Sequence, residues 1–231
     1  MKANITTVIF DLDGTLLNTL EDLKTAVNHA LTRFGYPVKN QEEVRLAVGN
    51  GVAKLIERVL PGGLENPDFE DCLKAFREYY SQHLQDQTAP YPGIPEVLAM
   101  LKEKGYSLGI VSNKFDVAVK QLREDYFPDT ITVAIGESAD VRKKPAPDCV
   151  YKAMAELDCK KEEAVYVGDS DVDAATAHNS GLRCIGVTWG FRDAGVLDGA
   201  GADWIIHEPR ELPDLLEQLR SEDGKKQELE R

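Results

Sequence analysis

The chain has 231 residues, of which 42% are hydrophobic and 29% are charged, and its formal net charge is −13. This hydrophobic fraction supports one large folded domain, or a domain with a smaller partner, and argues against a disordered chain. The negative charge opposes binding to nucleic acid and to anionic membranes, so neither is expected as a partner. An anionic substrate would therefore need a local source of positive charge.

Two further features predict a soluble, cytoplasmic protein. The first ten residues, MKANITTVIF, lead directly into a strand-like run without the apolar segment of a signal peptide, and no apolar run approaches membrane length. The four cysteines have neither metal-binding nor redox spacing, so reduced and buried thiols are expected. A monomer and a homodimer both fit these features.

The first part of the chain predicts one strand followed by helices. The run TVIF, residues 7–10, is strand-like, and apolar residues then recur at helical spacing from Leu20 to Phe34. Asn40 and the acids after it are typical of a helix cap and first turn. Similar spacing predicts two more helices, near residues 52–60 and 69–84. Residues 16–89 are therefore predicted to form a helical domain.

Beyond the proline-rich segment QDQTAPYPGIP, helices alternate with short β-rich runs. These runs are YSLGIV, ITVAIG, AVYVG, CIGVTW and DWIIH, which with TVIF make six strand candidates. Such alternation predicts an α/β fold with a Rossmann-like, doubly wound parallel sheet, built from residues 1–15 and 90–220. The helical domain would be a cap inserted after the first strand. The charged tail, residues 221–231, is expected to be loose.

Chemically active residues follow four of the predicted strands. Asp11 and Asp13 follow the first, Ser112 the second, Lys144 comes in the loop after the third, and Asp169 follows the fourth. Ligands of open α/β sheets bind at the carboxyl ends of the strands, so these side chains are expected to meet at one edge.

Asp11, Asp13 and Asp169 together predict a metal site. Carboxylates that converge in a partly buried site raise one another's pKa unless a cation lies between them. A hard cation with oxygen ligands, Mg²⁺, relieves this repulsion and attracts a phosphate. Ser112 and Lys144 would supply donors to phosphoryl oxygens, and the prolines that follow Lys144 would stiffen its loop.

The sequence speaks against three other interpretations of these residues. DSDVD, residues 169–173, begins like a calcium loop but has Ala174 where that loop needs glycine and Ser180 where it needs glutamate. No Gly-x-x-x-x-Gly-Lys-Ser/Thr phosphate loop occurs. Any single aspartate could merely cap a helix, and Ser112 with Asn113 could be a helix N-cap, but the whole set at strand ends argues against capping alone.

The motifs DLDGT, VSN, KPAP and GDSDVD, in this order and with a helical insert after the first, resemble the haloacid dehalogenase-like phosphatase superfamily. The likeness extends over nearly the whole chain. The segment VGNGVAKLIERVL, residues 48–60, is typical of the phosphoglycolate phosphatase-like branch.

The resemblance implies a role for each motif residue. Asp11 would be the nucleophile and form an aspartyl phosphate, and Asp13 would protonate the leaving group and then activate water. The metal would be held by Asp11, the backbone carbonyl of Asp13, and Asp169. The phosphoryl oxygens would be bound by Ser112 and Lys144, with Asn113 as an accessory donor. Thr15 would steady the first loop, and Asp173 would orient Lys144 or the metal's water.

The resemblance also sets the functional alternatives. The expected activity is Mg²⁺-dependent hydrolysis of a small phosphorylated metabolite, with 2-phosphoglycolate as the best single candidate. A sugar-phosphate mutase of the β-phosphoglucomutase type, a pyrophosphatase, a nucleotide phosphatase and a non-catalytic binding protein remain alternatives. Gly49, Asn50 and Gly51 are expected to form a cap loop that reads the substrate, or else a plain turn between helices.

Overall fold

The computed structural model describes residues 5–228. The chain divides into two compact units, one made of Met1–Leu16 with Pro90–Arg231 and the other of Leu17–Ala89. The first unit is α/β and the second is helical. The sequence had placed the domain boundaries after residues 15 and 89.

A six-stranded sheet with all neighbouring strands parallel forms the centre of the α/β unit. Its strands are β1 (Thr7–Phe10), β4 (Ser107–Phe115), β5 (Val133–Glu137), β6 (Ala164–Gly168), β7 (Arg183–Val187) and β8 (Trp204–Ile206). The short strands β2 (Leu17–Asn18) and β3 (Ala89–Pro90) pair separately. The predicted α/β class and parallel sheet are thus confirmed.

The strand order β5-β4-β1-β6-β7-β8 places β1 in the middle of the sheet. All four residues of β1 are buried, and Thr7 pairs with Ser107 on one side and with Ala164 on the other. Burying each large apolar residue of such a strand stabilises the fold by about 1.5–3 kcal/mol. The strand order reverses direction at β1, so the carboxyl ends of β1, β4 and β6 enclose the crevice where ligands of this sheet type bind.

Helices flank the sheet. Those of the α/β unit are α5 (Ile94–Glu103), α6 (Asp116–Tyr126), α7 (Asp148–Glu156), α8 (Asp171–Ser180), α9 (Ala194–Gly199) and α10 (Leu212–Glu228). On one face, Ile9 and Tyr166 of the sheet pack with Val150 of α7 and Ala177 of α8. The tail expected to be loose falls within α10 as far as Glu228, and residues 229–231 lie outside the described residues. No helix within residues 5–228 is both long and apolar enough to span a membrane.

The helical unit contains α1 (Leu20–Arg33), α2 (Gln41–Ala47), α3 (Val52–Val59) and α4 (Phe69–Tyr80). The predicted cap at Asn40 is confirmed, since its Oδ1 accepts from Glu43 N at 2.9 Å while Glu43 Oε2 accepts from Asn40 N at 2.8 Å. Each such capping pair satisfies backbone donors that the helix itself leaves unbonded.

One buried carboxylate ties the start of the helical unit to its end. Asp22 of α1 accepts hydrogen bonds from Gln87 N at 3.0 Å, Thr88 N at 2.9 Å and Thr88 Oγ1 at 2.7 Å. The Asp22 side chain therefore fixes the segment that leads out of this unit, because buried N–H groups that lose their acceptor destabilise the fold.

Replacing Asp22 by alanine is expected to lower the free energy of unfolding by about 2 kcal/mol, because three donors lose a charged acceptor. Glu21→Gln is the matched control, since Glu21 is a neighbouring acid in an exposed ion pair with Lys24 and such pairs contribute about 0–1 kcal/mol. Urea denaturation of both variants checks this. Equal midpoints for the two variants would contradict the role given to Asp22.

Candidate active site

The ammonium of Lys144 lies at the centre of a buried cluster in the α/β unit. Its Nζ donates to Asp11 Oδ1 at 2.6 Å and to Asp173 Oδ1 at 2.7 Å, and it lies 3.2 Å from the hydroxyl of Tyr166. The Lys144 side chain is 3% exposed. A lysine this deeply buried is stable only when its charge is paired, and here two carboxylates pair with it.

Asp173 is saturated with hydrogen-bond donors. Its Oδ1 accepts from Lys144 and, at 2.9 Å, from Tyr166 Oη. Its Oδ2 accepts from the backbone N of Ser170 at 3.1 Å and from Ser170 Oγ at 2.5 Å. Four donors use the four lone-pair directions of the carboxylate, so Asp173 orients Lys144 and caps α8 rather than offering an oxygen to a ligand.

Asp169 is held by two loops. Its Oδ1 accepts from Thr15 Oγ1 at 3.1 Å, and its Oδ2 accepts from Phe191 N at 2.7 Å. Each oxygen retains a lone pair for a further partner. The loop after β7 also contacts the first loop, because Trp189 Nε1 donates to the carbonyl of Thr15 at 2.9 Å.

Two glycines allow the close approach of these loops. Gly14 has φ +94, and a Cβ at this position would lie 2.4 Å from Asp169 Oδ2. A Cβ on Gly190 would lie 2.3 Å from the carbonyl oxygen of Gly14 and 2.4 Å from Asp169 Cβ. Both positions therefore exclude any side chain, because such distances are far below van der Waals contact.

Asp13 lies on the same loop as Asp11 but pairs with a different lysine. Its Oδ1 lies 3.0 Å from Nζ of Lys114, and its Oδ2 lies 3.5 Å from the Ser112 hydroxyl. Ser112 Oγ in turn accepts from Lys114 N at 3.1 Å. The sequence predicted that this strand ends before Ser112. In the structure, β4 continues to Phe115, so that Ser112 and Lys114 both lie near its end.

Asn113, the expected accessory phosphate donor, also bonds to the backbone of Lys144. Its Oδ1 accepts from Lys144 N at 2.6 Å, and its Nδ2 donates to the Lys144 carbonyl at 3.1 Å. This pair of bonds fixes the backbone of Lys144 to the neighbouring strand β4. Asn113 therefore positions the lysine, and the alternative of a helix N-cap is wrong because Asn113 lies within β4.

Burial and mutual repulsion dominate the electrostatics of the cluster. Burial, followed by the charge of Asp173, raises the pKa of Asp11 well above its ordinary value, although Lys144 opposes the shift. The same two causes raise the pKa of Asp169 to about 7. Burial lowers the pKa of Lys144, but the charges of Asp11 and Asp173 outweigh it, so the pKa is raised overall and the lysine stays protonated.

The donor set fits a divalent cation. Carboxylate oxygens of Asp11 and Asp169 lie within 4.8 Å of each other, in a group that also includes the fully hydrogen-bonded Asp173. With Asp13 there are four carboxylates against the two ammonium groups of Lys114 and Lys144, and hard oxygen ligands in this excess favour Mg²⁺ or a similar ion. A cation would also reverse the upward pKa shifts of Asp11 and Asp169.

The comparison with known proteins addresses the family directly. Residues 8–187 match the family described as haloacid dehalogenase-like hydrolase. The chain belongs to this family. A phosphoglycolate phosphatase from Cereibacter sphaeroides is 36% identical over 216 residues, which cover 92% of this chain and 98% of that protein. The recognition of the haloacid dehalogenase-like family, phosphoglycolate phosphatase-like branch, is thus confirmed.

Solved structures of similar fold support the family assignment. A protein from Lactobacillus delbrueckii subsp. bulgaricus superposes with a TM-score of 0.87 at 32% identity, covering 94% of this chain and 99% of that one. CbbY from Rhodobacter sphaeroides, solved in complex with phosphate, has a TM-score of 0.72 at 28% identity and covers 90% of this chain and 96% of its own. This haloacid dehalogenase-like hydrolase therefore resembles solved relatives over at least 90% of its length.

The structure brings together the predicted site residues of the α/β unit, and three others belong to the helical unit. The cluster contains Asp11, Asp13, Thr15, Ser112, Asn113, Lys144, Asp169 and Asp173. Gly49, Asn50 and Gly51 lie in the helical unit, between α2 and α3. There, Asn50 Oδ1 accepts from Arg58 Nη2 at 2.7 Å, which braces the loop. Their role in reading substrate stays a prediction.

Sequence reasoning missed several residues that support the site. Lys114 follows the VSN motif directly, so its position at a strand end was a signal that could have been used. Tyr166 lies inside an apolar strand and gave no sign that its hydroxyl would contact Lys144. Trp189 follows an apolar strand and gave no sign that its indole N–H would bind the loop that carries the two aspartates.

Gly190→Ala is expected to destabilise this hydrolase by about 1–3 kcal/mol, because the added methyl group forces the Asp169 side chain and the Gly14 backbone apart. Gly199→Ala is the control, since nothing lies within 4 Å of a Cβ there and replacing a helical glycine by alanine is favourable by about 0.5–1 kcal/mol. Thermal unfolding measures both. A Gly190→Ala variant as stable as wild type would refute the proposed close packing.

Proposed function

We propose that this chain is a Mg²⁺-dependent phosphatase that hydrolyses a small phosphomonoester through an aspartyl phosphate on Asp11, with 2-phosphoglycolate as the substrate. The observation that carries the proposal is the buried ion pair of Asp11 with Lys144 at the end of the central strand. This pair holds a carboxylate nucleophile and a phosphate-binding cation within 2.6 Å of each other.

The class of reaction and the substrate rest on different grounds. Membership of the hydrolase family, together with several curated relatives, shows a phosphoric monoester hydrolase. The substrate comes from likeness alone, because proteins named phosphoglycolate phosphatase match this chain at 31–36% identity. The phosphate seen with CbbY supports a phosphate-binding site in this fold.

Asp11 acts as the nucleophile in the first half-reaction. Its Oδ1 accepts the hydrogen bond from Lys144, so Oδ2 attacks the phosphorus atom. The bond between phosphorus and the ester oxygen breaks as the acyl phosphate forms. Lys144 and the hydroxyl of Ser112 donate to the phosphoryl oxygens and offset the charge that spreads over them in the transition state.

Asp13 moves the protons. It gives a proton to the leaving alkoxide in the first half-reaction, since an alkoxide is a poor leaving group. In the second half-reaction its carboxylate takes a proton from the water that attacks the phosphorus atom. The acyl phosphate bond then breaks, inorganic phosphate leaves, and the Asp11 carboxylate is restored.

Asp11, the backbone carbonyl of Asp13, and Asp169 are the proposed ligands of magnesium. When bound, the ion supplies charge neutralisation that lets a phosphate approach a cluster of carboxylates. Asp173 is not a proposed ligand, because donors already occupy both of its oxygens. Thr15 holds Asp169 in place for this task.

The helical unit, which follows the loop of Asp11 and Asp13 in the chain, is the proposed cap that selects the leaving group. Gly49, Asn50 and Gly51 are its proposed substrate-reading loop. A small phosphorylated metabolite is the proposed partner, because curated relatives of this chain are named phosphoglycolate phosphatase.

Phosphate release from a panel of phosphorylated metabolites tests this function. The panel contains 2-phosphoglycolate, glucose 1-phosphate, a nucleoside monophosphate and pyrophosphate, each assayed with Mg²⁺ and with EDTA. Wild type is expected to release phosphate with Mg²⁺ only. Asp11→Asn is expected to lose activity by about 10³-fold or more, because an amide is not a nucleophile.

Asp171→Asn serves as the control for Asp11→Asn, since Asp171 is exposed and pairs with Arg192 outside the cluster. Its activity should equal that of wild type. If wild type releases phosphate from no substrate, the proposal fails. Conversion of glucose 1-phosphate to glucose 6-phosphate without net phosphate release would instead indicate a mutase.

Adjacent lysines allow a second test of the site. Lys144→Met is expected to lower kcat by about 10²–10³-fold, because a donor to the transition state is lost. Lys143→Met should leave kcat unchanged, since Lys143 is exposed. Steady-state kinetics, with circular dichroism to confirm folding, compares the two. Equal activities would remove Lys144 from the mechanism.

A further inference from the structure

We propose that Lys114 is a positioning residue for Asp13: its ammonium attracts the Asp13 carboxylate and keeps it in place for proton transfer to the leaving group. This inference rests on the proposed function and deepens it, because it assigns a second lysine of the site to a different task from that of Lys144.

The contact geometry singles out Lys114. The Lys114 side chain is 7% exposed and the Asp13 side chain is 16% exposed. Lys114 Nζ lies 3.0 Å from Asp13 Oδ1. Other lysine–carboxylate pairs such as Lys120–Asp116 and Lys74–Glu78 involve lysines that are more than half exposed. A charge buried to this degree requires a partner, and Asp13 provides one.

The end of β4 contacts both oxygens of the Asp13 carboxylate. Lys114 lies at Oδ1, and the Ser112 hydroxyl lies 3.5 Å from Oδ2. Ser112 is itself tied to Lys114, because its Oγ accepts from Lys114 N at 3.1 Å. Lys114 acts on Oδ1 through its charge, because this oxygen accepts no hydrogen bond from the described residues. A charge at one oxygen and a hydroxyl at the other restrict the rotation of a side chain that would otherwise turn about two bonds.

The two aspartates of the first loop are therefore fixed by separate lysines. Asp11 is fixed by Lys144, whose backbone is held by Asn113. Asp13 is fixed by Lys114. Proton transfer requires heavy atoms about 2.6–3.2 Å apart. A displacement of about 1 Å can lower a rate about 10²-fold.

A comparison of leaving groups separates this role from a purely structural one. 4-Nitrophenyl phosphate has a leaving group that departs with little need for a proton, whereas 2-phosphoglycolate and 2-hydroxyethyl phosphate release alkoxides. The measured quantity is kcat/KM, which covers only the steps up to formation of the acyl phosphate. The variants are Lys114→Met, Lys114→Arg, Asp13→Asn and the double variant Lys114→Met/Asp13→Asn.

Lys114→Met is expected to lower kcat/KM about 10²-fold for both alkyl esters and less than about 3-fold for 4-nitrophenyl phosphate. Asp13→Asn should show the same selectivity for poor leaving groups. The double variant should be no slower than Asp13→Asn, because a residue that acts only through Asp13 has no effect once Asp13 is gone. Lys114→Arg should recover part of the activity, and Lys120→Met, an exposed lysine in α6, should match wild type.

Each contrary outcome is distinct. An equal loss for all three substrates, with a lower unfolding temperature, would assign Lys114 to stability alone and overturn the proposal. A loss of kcat/KM confined to 2-phosphoglycolate would mean that Lys114 binds the substrate carboxylate, which overturns the proposal. If Lys114→Met lowers kcat/KM just as much in the Asp13→Asn background, Lys114 acts on the substrate without Asp13, which also overturns the proposal. If wild type is inactive, or Asp13→Asn is fully active, the proposed function itself fails and the inference with it.

Discussion

The site depends on one buried cation. Lys144 is surrounded by Asp11, Asp173 and the Tyr166 hydroxyl, and it has almost no access to water. Removing an ammonium from water is costly, and only closely placed carboxylates offset that cost. The same carboxylates repel each other unless the ammonium lies between them. Lys144 can be buried because the two acids pair with it. The two acids can be buried close together because Lys144 lies between them.

This mutual dependence explains why so much of the surrounding structure serves Lys144. Asn113 binds both its N–H and its carbonyl. Asp173 is held by Ser170 at the start of α8, so the helix cap also fixes a partner of the lysine. Strands β4 and β6 and the loop after β5 are therefore linked through one residue. The parallel order of the strands makes this possible, because their carboxyl ends lie side by side.

The sequence predicted the sheet and the acids better than the contacts among them. TVIF and AVYVG coincide with β1 and β6, because continuous apolar runs are typical of buried parallel strands. The convergence of Asp11, Lys144 and Asp169 followed from their positions at strand ends. The identity of each partner did not follow, because it depends on distances between loops far apart in the chain.

Asn113 and Lys114 illustrate this limit. Both follow an apolar strand, and the local sequence favoured an early end of that strand and a helix cap. Tertiary pairing with β5 extends β4 to Phe115 instead, with a register shift between Val111 and Phe115. A residue's neighbours along the chain indicate its propensity, whereas the neighbouring strand decides where its side chain lies.

The two aspartates of the first loop can lie two residues apart because their charges are offset separately. Asp11 faces Lys144 in the interior, where burial raises its pKa and strengthens each interaction with the lysine. Asp13 lies nearer to solvent and faces Lys114. Identical side chains thus meet different surroundings, which is the condition for the different tasks proposed for them, nucleophile for Asp11 and proton carrier for Asp13. The loop after β1 carries both acids, and a different lysine faces each of them.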